Sequence, residues 1–377
     1  MHTGQKSAGV VFALILSATA GGQPSTVTAC KVASLEKSAA QGLQIFSPRG
    51  DQYLVNRQDE KHVSQVYVGQ SGSTQLTCIT CAQQPGGPKP NRNKMQPTWY
   101  PKGNWIFMAV ERDHYTKTPI LGISKQYVRG QLENGIWTNM WAVSVDGRRW
   151  QQLTDFQSNK AGIADGYTGP AFTPDGRKAV WSQAMDGNVF VYFPFGRWEL
   201  TEADVVIANG TPTLSSPRNI TPRGMPWNEP GNFAPDNETL LFSGSVEKDA
   251  EGMDQYTLNI RTGKLTNLTN SPTTWDEHGM FSPDGRKIVF MSADPYRDDP
   301  KASKVLSIKA EFMLMNADGS DLTQLTHFKT QGYPESSKGI AANGVWSPDG
   351  RSLSLRQLFF PTYQDWTLTF QGPCGNL

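Results

Sequence analysis

Six times along the chain an aromatic residue is followed two positions later by proline and then by a two-residue turn. The segments are Phe46-Ser47-Pro48-Arg49-Gly50, Trp99-Tyr100-Pro101-Lys102-Gly103, Phe172-Thr173-Pro174-Asp175-Gly176, Phe233-Ala234-Pro235-Asp236-Asn237, Phe281-Ser282-Pro283-Asp284-Gly285 and Trp346-Ser347-Pro348-Asp349-Gly350. Their prolines are 53, 73, 61, 48 and 65 residues apart, so variable loops are mounted on a fixed unit. Beyond each turn the residues at proline plus five (Tyr53, Ile106, Ala179, Leu240, Ile288, Leu353) and plus seven (Val55, Met108, Trp181, Phe242, Phe290, Leu355) are all apolar or aromatic. That period of two marks a strand buried on at least one face, and each unit reads as a hairpin.

A second motif follows in five units: Gln75-Leu76-Thr77, Gln152-Leu153-Thr154, Asn219-Ile220-Thr221, Asn267-Leu268-Thr269 and Gln324-Leu325-Thr326. Each unit thereby has four short strands, A to D, the content of a propeller blade. The sixth has a third strand at Asp365 to Phe370, but no fourth strand follows it in this sequence. Lys31 to Leu35 is the expected donor of the missing strand, because a ring with two open sheet edges exposes unpaired backbone. The expected fold is therefore all-β, a six-bladed β-propeller closed by N- and C-terminal strands in one blade. Closure brings Cys30 toward Cys374, so among the three pairings four cysteines allow, Cys30–Cys374 with Cys78–Cys81 is the expected one.

The segments from Phe281 to Ser292 and from Trp346 to Leu355, with the Leu-Thr motifs before them, resemble the WD40-like repeats of the TolB-type six-bladed β-propeller. The resemblance covers nearly all of the chain after its leader, but not the separate α/β domain that precedes the propeller in TolB. It implies an architecture; the activity must be argued from the site.

Residues Val10 to Leu16 form an apolar run ahead of Ala18-Thr19-Ala20, which reads as a secretory signal peptide over 1–20, with the propeller over 21–377. A periplasmic or secreted location follows, and there the cysteines can form disulfides. Val27-Thr28-Ala29-Cys30 loosely resembles a lipobox, so lipid anchoring at Cys30 is an alternative. No later run is long enough for a transmembrane segment. With 35 Lys and Arg against 34 Asp and Glu, the chain has no bulk charge with which to grip nucleic acid.

Function is expected on one face. The A–B and C–D connections are tight, whereas the B–C and D–A connections are long, and they include Tyr115, Tyr127, Tyr192, Phe193, Tyr296 and Tyr333. Strand A begins at the central channel with Trp227-Asn228-Glu229 in one unit and Trp275-Asp276-Glu277-His278 in the next, and Tyr333-Pro334-Glu335 precedes the sixth at a looser register. The candidate binding set is thus Trp227, Glu229, Trp275, Asp276, Glu277, His278, Tyr333 and Glu335. No cofactor is expected, except that the two carboxylates and the histidine could hold a divalent cation. Asp294, Asp298 and Asp299 lack a recognised calcium loop, and the remaining histidines lack zinc spacing. Cys78-Ile79-Thr80-Cys81 has no thioredoxin-like context and reads as a local disulfide. No Gly-x-Ser-x-Gly occurs, so any catalysis is expected from the propeller itself. Two functions are carried forward. One is an exported, non-catalytic propeller that binds a protein or peptide partner through its long-loop face. The other is a carbohydrate-acting lyase or hydrolase using Glu229, Glu277 and His278.

Overall fold

A computed structural model describes residues 30–39, 42–112, 134–156, 166–186, 197–246, 252–304, 307–359, 362–372 and 374. The described strands form six four-stranded antiparallel sheets, the blades of a propeller. In chain order the A strands are Ile45–Phe46, Lys94–Trp99, Gly166–Phe172, Trp227–Phe233, Asp276–Phe281 and Ile340–Trp346. Five sheets run A-B-C-D in sequence; the sixth takes its D strand, Val32–Lys37, from the other end of the chain. That strand pairs antiparallel with Thr362–Phe370, matching Leu35 to Leu368 and Lys37 to Trp366. Ring closure by both chain ends is as the repeat count requires.

The turn between A and B is built alike in every blade. The amide of its last residue donates to the carbonyl of the residue before the proline: Gly50 to Ser47, Gly103 to Tyr100, Gly176 to Thr173, Asn237 to Ala234, Gly285 to Ser282 and Gly350 to Ser347. That last residue has φ between 62° and 74°, the left-handed region, so five of the six are glycine and the exception, Asn237, is the residue type that tolerates it next best. The turns also set the spacing between blades. A Cβ on Gly285 would lie 2.5 Å from Pro235 of the preceding blade, and one on Gly50 would lie 3.4 Å from Pro348 across the closure.

All twelve inward positions at proline plus five and plus seven are buried, with exposures of 3% or less. The aromatics at proline minus two do more than fill space. Trp99 Nε1 donates to the Ile45 carbonyl at 2.9 Å, and Trp346 Nε1 to the Met280 carbonyl at 3.2 Å. Both acceptors stand three residues before the proline of the previous blade, so the same indole bond ties neighbouring inner strands at two places in the ring.

The Leu-Thr motif closes each of the first five blades by a shared bond. The Thr hydroxyl accepts from a strand C amide: Thr154 from Met140, Thr221 from Leu200, Thr269 from Gln255 and Thr326 from Phe312. In the first blade the acceptor is Thr80, bonded by the Val66 amide, and not Thr77. The repeat element there is Cys78-Ile79-Thr80, three residues beyond the expected Gln75-Leu76-Thr77. Ile79 fills the buried leucine position and its amide bonds the Val66 carbonyl, as Leu268 bonds Gln255 and Leu325 bonds Phe312. The Cys78–Cys81 disulfide therefore straddles a structural motif. The other pair, Cys30–Cys374, spans 344 residues of sequence beside the closing strand. In the chain-entropy view a loop of that size is worth roughly 5 kcal/mol or somewhat more to the folded state.

Candidate site at the channel mouth

Strand A of each blade from the second to the sixth loses its pairing register with strand B at one point. The breaks fall between Met95 and Thr98, Thr168 and Ala171, Pro230 and Phe233, Glu277 and Met280, and Ala341 and Gly344. In each, two residues of strand A oppose one of strand B, which is a β-bulge, a device that re-aims side chains. Four residues before each repeat proline stand Pro97, Pro170, Gly231, Gly279 and Gly344, residues that disrupt regular strand pairing. This is the signal that sequence reasoning passed over. Gly231 is required sterically, because a Cβ would lie 2.0 Å from the backbone carbonyl oxygen of Gly279.

At the fifth-blade bulge sits His278, with φ of 57°. A left-handed backbone costs a non-glycine residue about 1–2 kcal/mol, so the surroundings must hold it there. Its amide donates to Ser243 Oγ in the fourth blade at 3.0 Å, and its Nδ1 lies 3.2 Å from the Ala342 carbonyl in the sixth. One residue thus links three blades. Its Nε2 faces the Glu229 carboxylate at 3.5 Å and that of Glu277 at 3.9 Å. Glu229 and Glu277 occupy the same place, six residues before the proline, in consecutive blades. Glu277 is buried, and its second oxygen accepts from Trp275 Nε1 at 2.8 Å.

The electrostatics follow from this packing. Burial alone would lower the His278 pKa, but Glu277 and Glu229 outweigh it and the imidazole is pushed up to about 9. Burial raises the Glu277 pKa, opposed by His278 and assisted by Glu229. At neutral pH the histidine beside Glu229 and Glu277 is therefore held as an imidazolium.

These groups line a cavity of about 240 Å³ at the end of the channel where the B–C and D–A connections lie. Its walls include Trp198, Trp227 and Trp275, with Gln96, Thr168 and Ala342 from the inner strands of the second, third and sixth blades. Of the eight sequence-predicted binding residues, Trp227, Glu229, Trp275, Glu277 and His278 come together here. Three do not. The Asp276 side chain is buried behind the strand, accepting from the Ser271 and Ser292 hydroxyls, and its pKa is raised by burial to about 7. Tyr333 and Glu335 form a separate group on the loop before the sixth blade, where Tyr333 stacks on His327 at 3.9 Å and Glu335 lies 3.6 Å from His327 Nδ1. Neither lines the cavity.

Among the described residues, Glu229, Glu277 and His278 are the group of three side chains placed to share a metal ion. Of the aspartates near 294, Asp294 pairs with Arg297 and Asp299 with Lys309. Tyr296, from the expected loop aromatics, donates to Glu311. Tyr115, Tyr127, Tyr192, Phe193 and the expected signal peptide over 1–20 lie outside the described residues.

Fold and cavity together define a six-bladed propeller of the TolB type with a polar cluster at its channel mouth. A structure described as a putative TolB from Agrobacterium tumefaciens is similar, with a TM-score of 0.51 at 16% identity over 89% of this chain and 90% of that one. TolB from Acinetobacter baumannii is similar at a TM-score of 0.49 and 12% identity, over 90% of this chain and 64% of that one. An oligogalacturonate lyase in complex with manganese is similar at 0.47 and 12% identity, over 89% of this chain and 90% of that one. No family model and no curated protein matches the sequence.

Proposed function

We propose that the protein is an exported, non-catalytic propeller that seats part of a protein or peptide partner in the channel mouth, on the face of the long connections. The observation that carries this is the cavity itself. At about 240 Å³ it is smaller than the roughly 300–1,000 Å³ of small-molecule pockets, and it suits an anchoring side chain of a larger partner. Tryptophan walls with a few polar groups are the composition of protein-binding surfaces. Export is supported by the two disulfides, which persist in oxidising compartments. No helix among the described residues is long and apolar enough to cross a membrane.

The test is comparative capture of partners from envelope extract. A partner retained by the wild type should be lost at least tenfold in Trp227→Ala and kept in Leu322→Ser, which alters an exposed residue of the C–D connection. Equal capture by both variants would remove the mouth as the binding surface.

The convergence of Glu229, Glu277 and His278 favours a second reading, acid–base action on a carbohydrate. Uronate oligosaccharides and simple esters are the substrates to screen. Turnover that is unchanged in Glu277→Ala and His278→Ala would exclude these residues from the chemistry.

A further inference from the structure

We propose that Glu229, Glu277 and His278 form a binding site for a divalent first-row transition-metal cation of the Zn²⁺ type. The inference goes beyond partner binding and does not depend on it. It begins with distance. The donor atoms are 3.5 and 3.9 Å apart along the two histidine–carboxylate edges, and all three lie within 4.8 Å of one another. The point equidistant from the corners of such a triangle is about 2.0–2.4 Å from each, close to the bond lengths of zinc to imidazole nitrogen and carboxylate oxygen.

The donor set selects among cations. Calcium and magnesium take oxygen ligands, whereas an imidazole beside two carboxylates suits zinc or its first-row neighbours. Outer contacts hold two of the three donors in place. With its proton on Nδ1, His278 donates to the Ala342 carbonyl and turns the Nε2 lone pair toward the carboxylates, the arrangement that orients metal-bound histidines. The Trp275 indole occupies Glu277 Oε2 and leaves Oε1 for a cation. The cavity provides the route in.

Among the described residues, other buried carboxylates are already enclosed by donors. Asp254 is surrounded by the Thr269 and Ser271 hydroxyls and the Asn267 amide, and Glu311 by Tyr296, Thr326 and the amides of Phe328 and Lys329. Cation binding at the mouth displaces the proton on His278 Nε2, which leaves to solvent. Two carboxylates then neutralise the dication.

The experiment is calorimetric titration of the tag-free, chelator-stripped chain with Zn²⁺, and with Ca²⁺ in parallel. One Zn²⁺ should bind, with Ca²⁺ at least tenfold weaker. Glu229→Gln and His278→Asn should each weaken Zn²⁺ at least tenfold, and His327→Asn should leave it unchanged. Asparagine is chosen because it accepts the left-handed backbone at 278. The Glu229 side chain is 24% exposed, so should His278→Asn fail to fold, folded Glu229→Gln decides alone. Absence of Zn²⁺ binding, or equal affinity in Glu229→Gln and wild type, overturns the proposal. Zn²⁺ binding that withstands failure of partner capture leaves the site standing without the partner reading.

Discussion

The two ends of each inner strand obey different rules. At the turn end, six blades repeat one solution: an aromatic, a proline, a left-handed residue and the same backbone bond. At the mouth end, the bulge and the residues just before it present different side chains, Gln96 in the second blade, Glu229 in the fourth and His278 in the fifth. One end is selected for packing, and the other is released from it by the bulge.

That contrast can be broken by substitution. Phe281→Ala, at the turn end of the strand that carries His278, removes a side chain that is 3% exposed and should cost about 3–5 kcal/mol in urea unfolding. Its effect on partner capture by the protein that remains folded should be small. A binding loss larger than the stability loss would erase the distinction between the ends.

His278→Asn probes the mouth end by pH. A histidine raised from 6.5 to about 9 on folding contributes stability that is fully present below pH 6.5 and disappears as pH rises through 9. The wild type should therefore exceed His278→Asn by at most about 3 kcal/mol near pH 6, with the gap closing by pH 9. Unfolding midpoints at pH 6, 7.5 and 9 check this, and a gap that widens with pH would show that Glu229 and Glu277 do not hold the proton on His278.

Gly285→Ala is the mildest. With φ of 73° and Pro235 2.5 Å from the added Cβ, it should cost about 1–2 kcal/mol while leaving capture intact. Thermal melts beside the capture assay separate the two effects.

The turn end was legible in sequence because proline fixes the frame and alternation runs outward from it. Tyr53 to Leu355 could be placed at proline plus five and plus seven, and all are buried. Glu229 and Glu277 could be matched by the same count. Gln96 and Thr168 stand at the same counts as His278 and Glu229, five and six residues before the proline, but as isolated neutral side chains they gave no signal of a site. The frame itself slips in the first blade. Gln75-Leu76-Thr77 mimics the closing motif, but it was the burial of Ile79 that identified the true register. Tyr333 and Glu335 were assigned by proximity in sequence to strand A, which a loop need not respect.

The sixth blade has a consequence in time. Strand Val32–Lys37 precedes its partner Thr362–Phe370 by some three hundred residues, yet each depends on the other to lose an open edge. During synthesis, or passage through a membrane in the same direction, the N-terminal strand waits unpaired until almost the whole ring has formed behind it. Assembly of this molecule should therefore finish with the meeting of its two ends, and until then both edges are open to wrong partners.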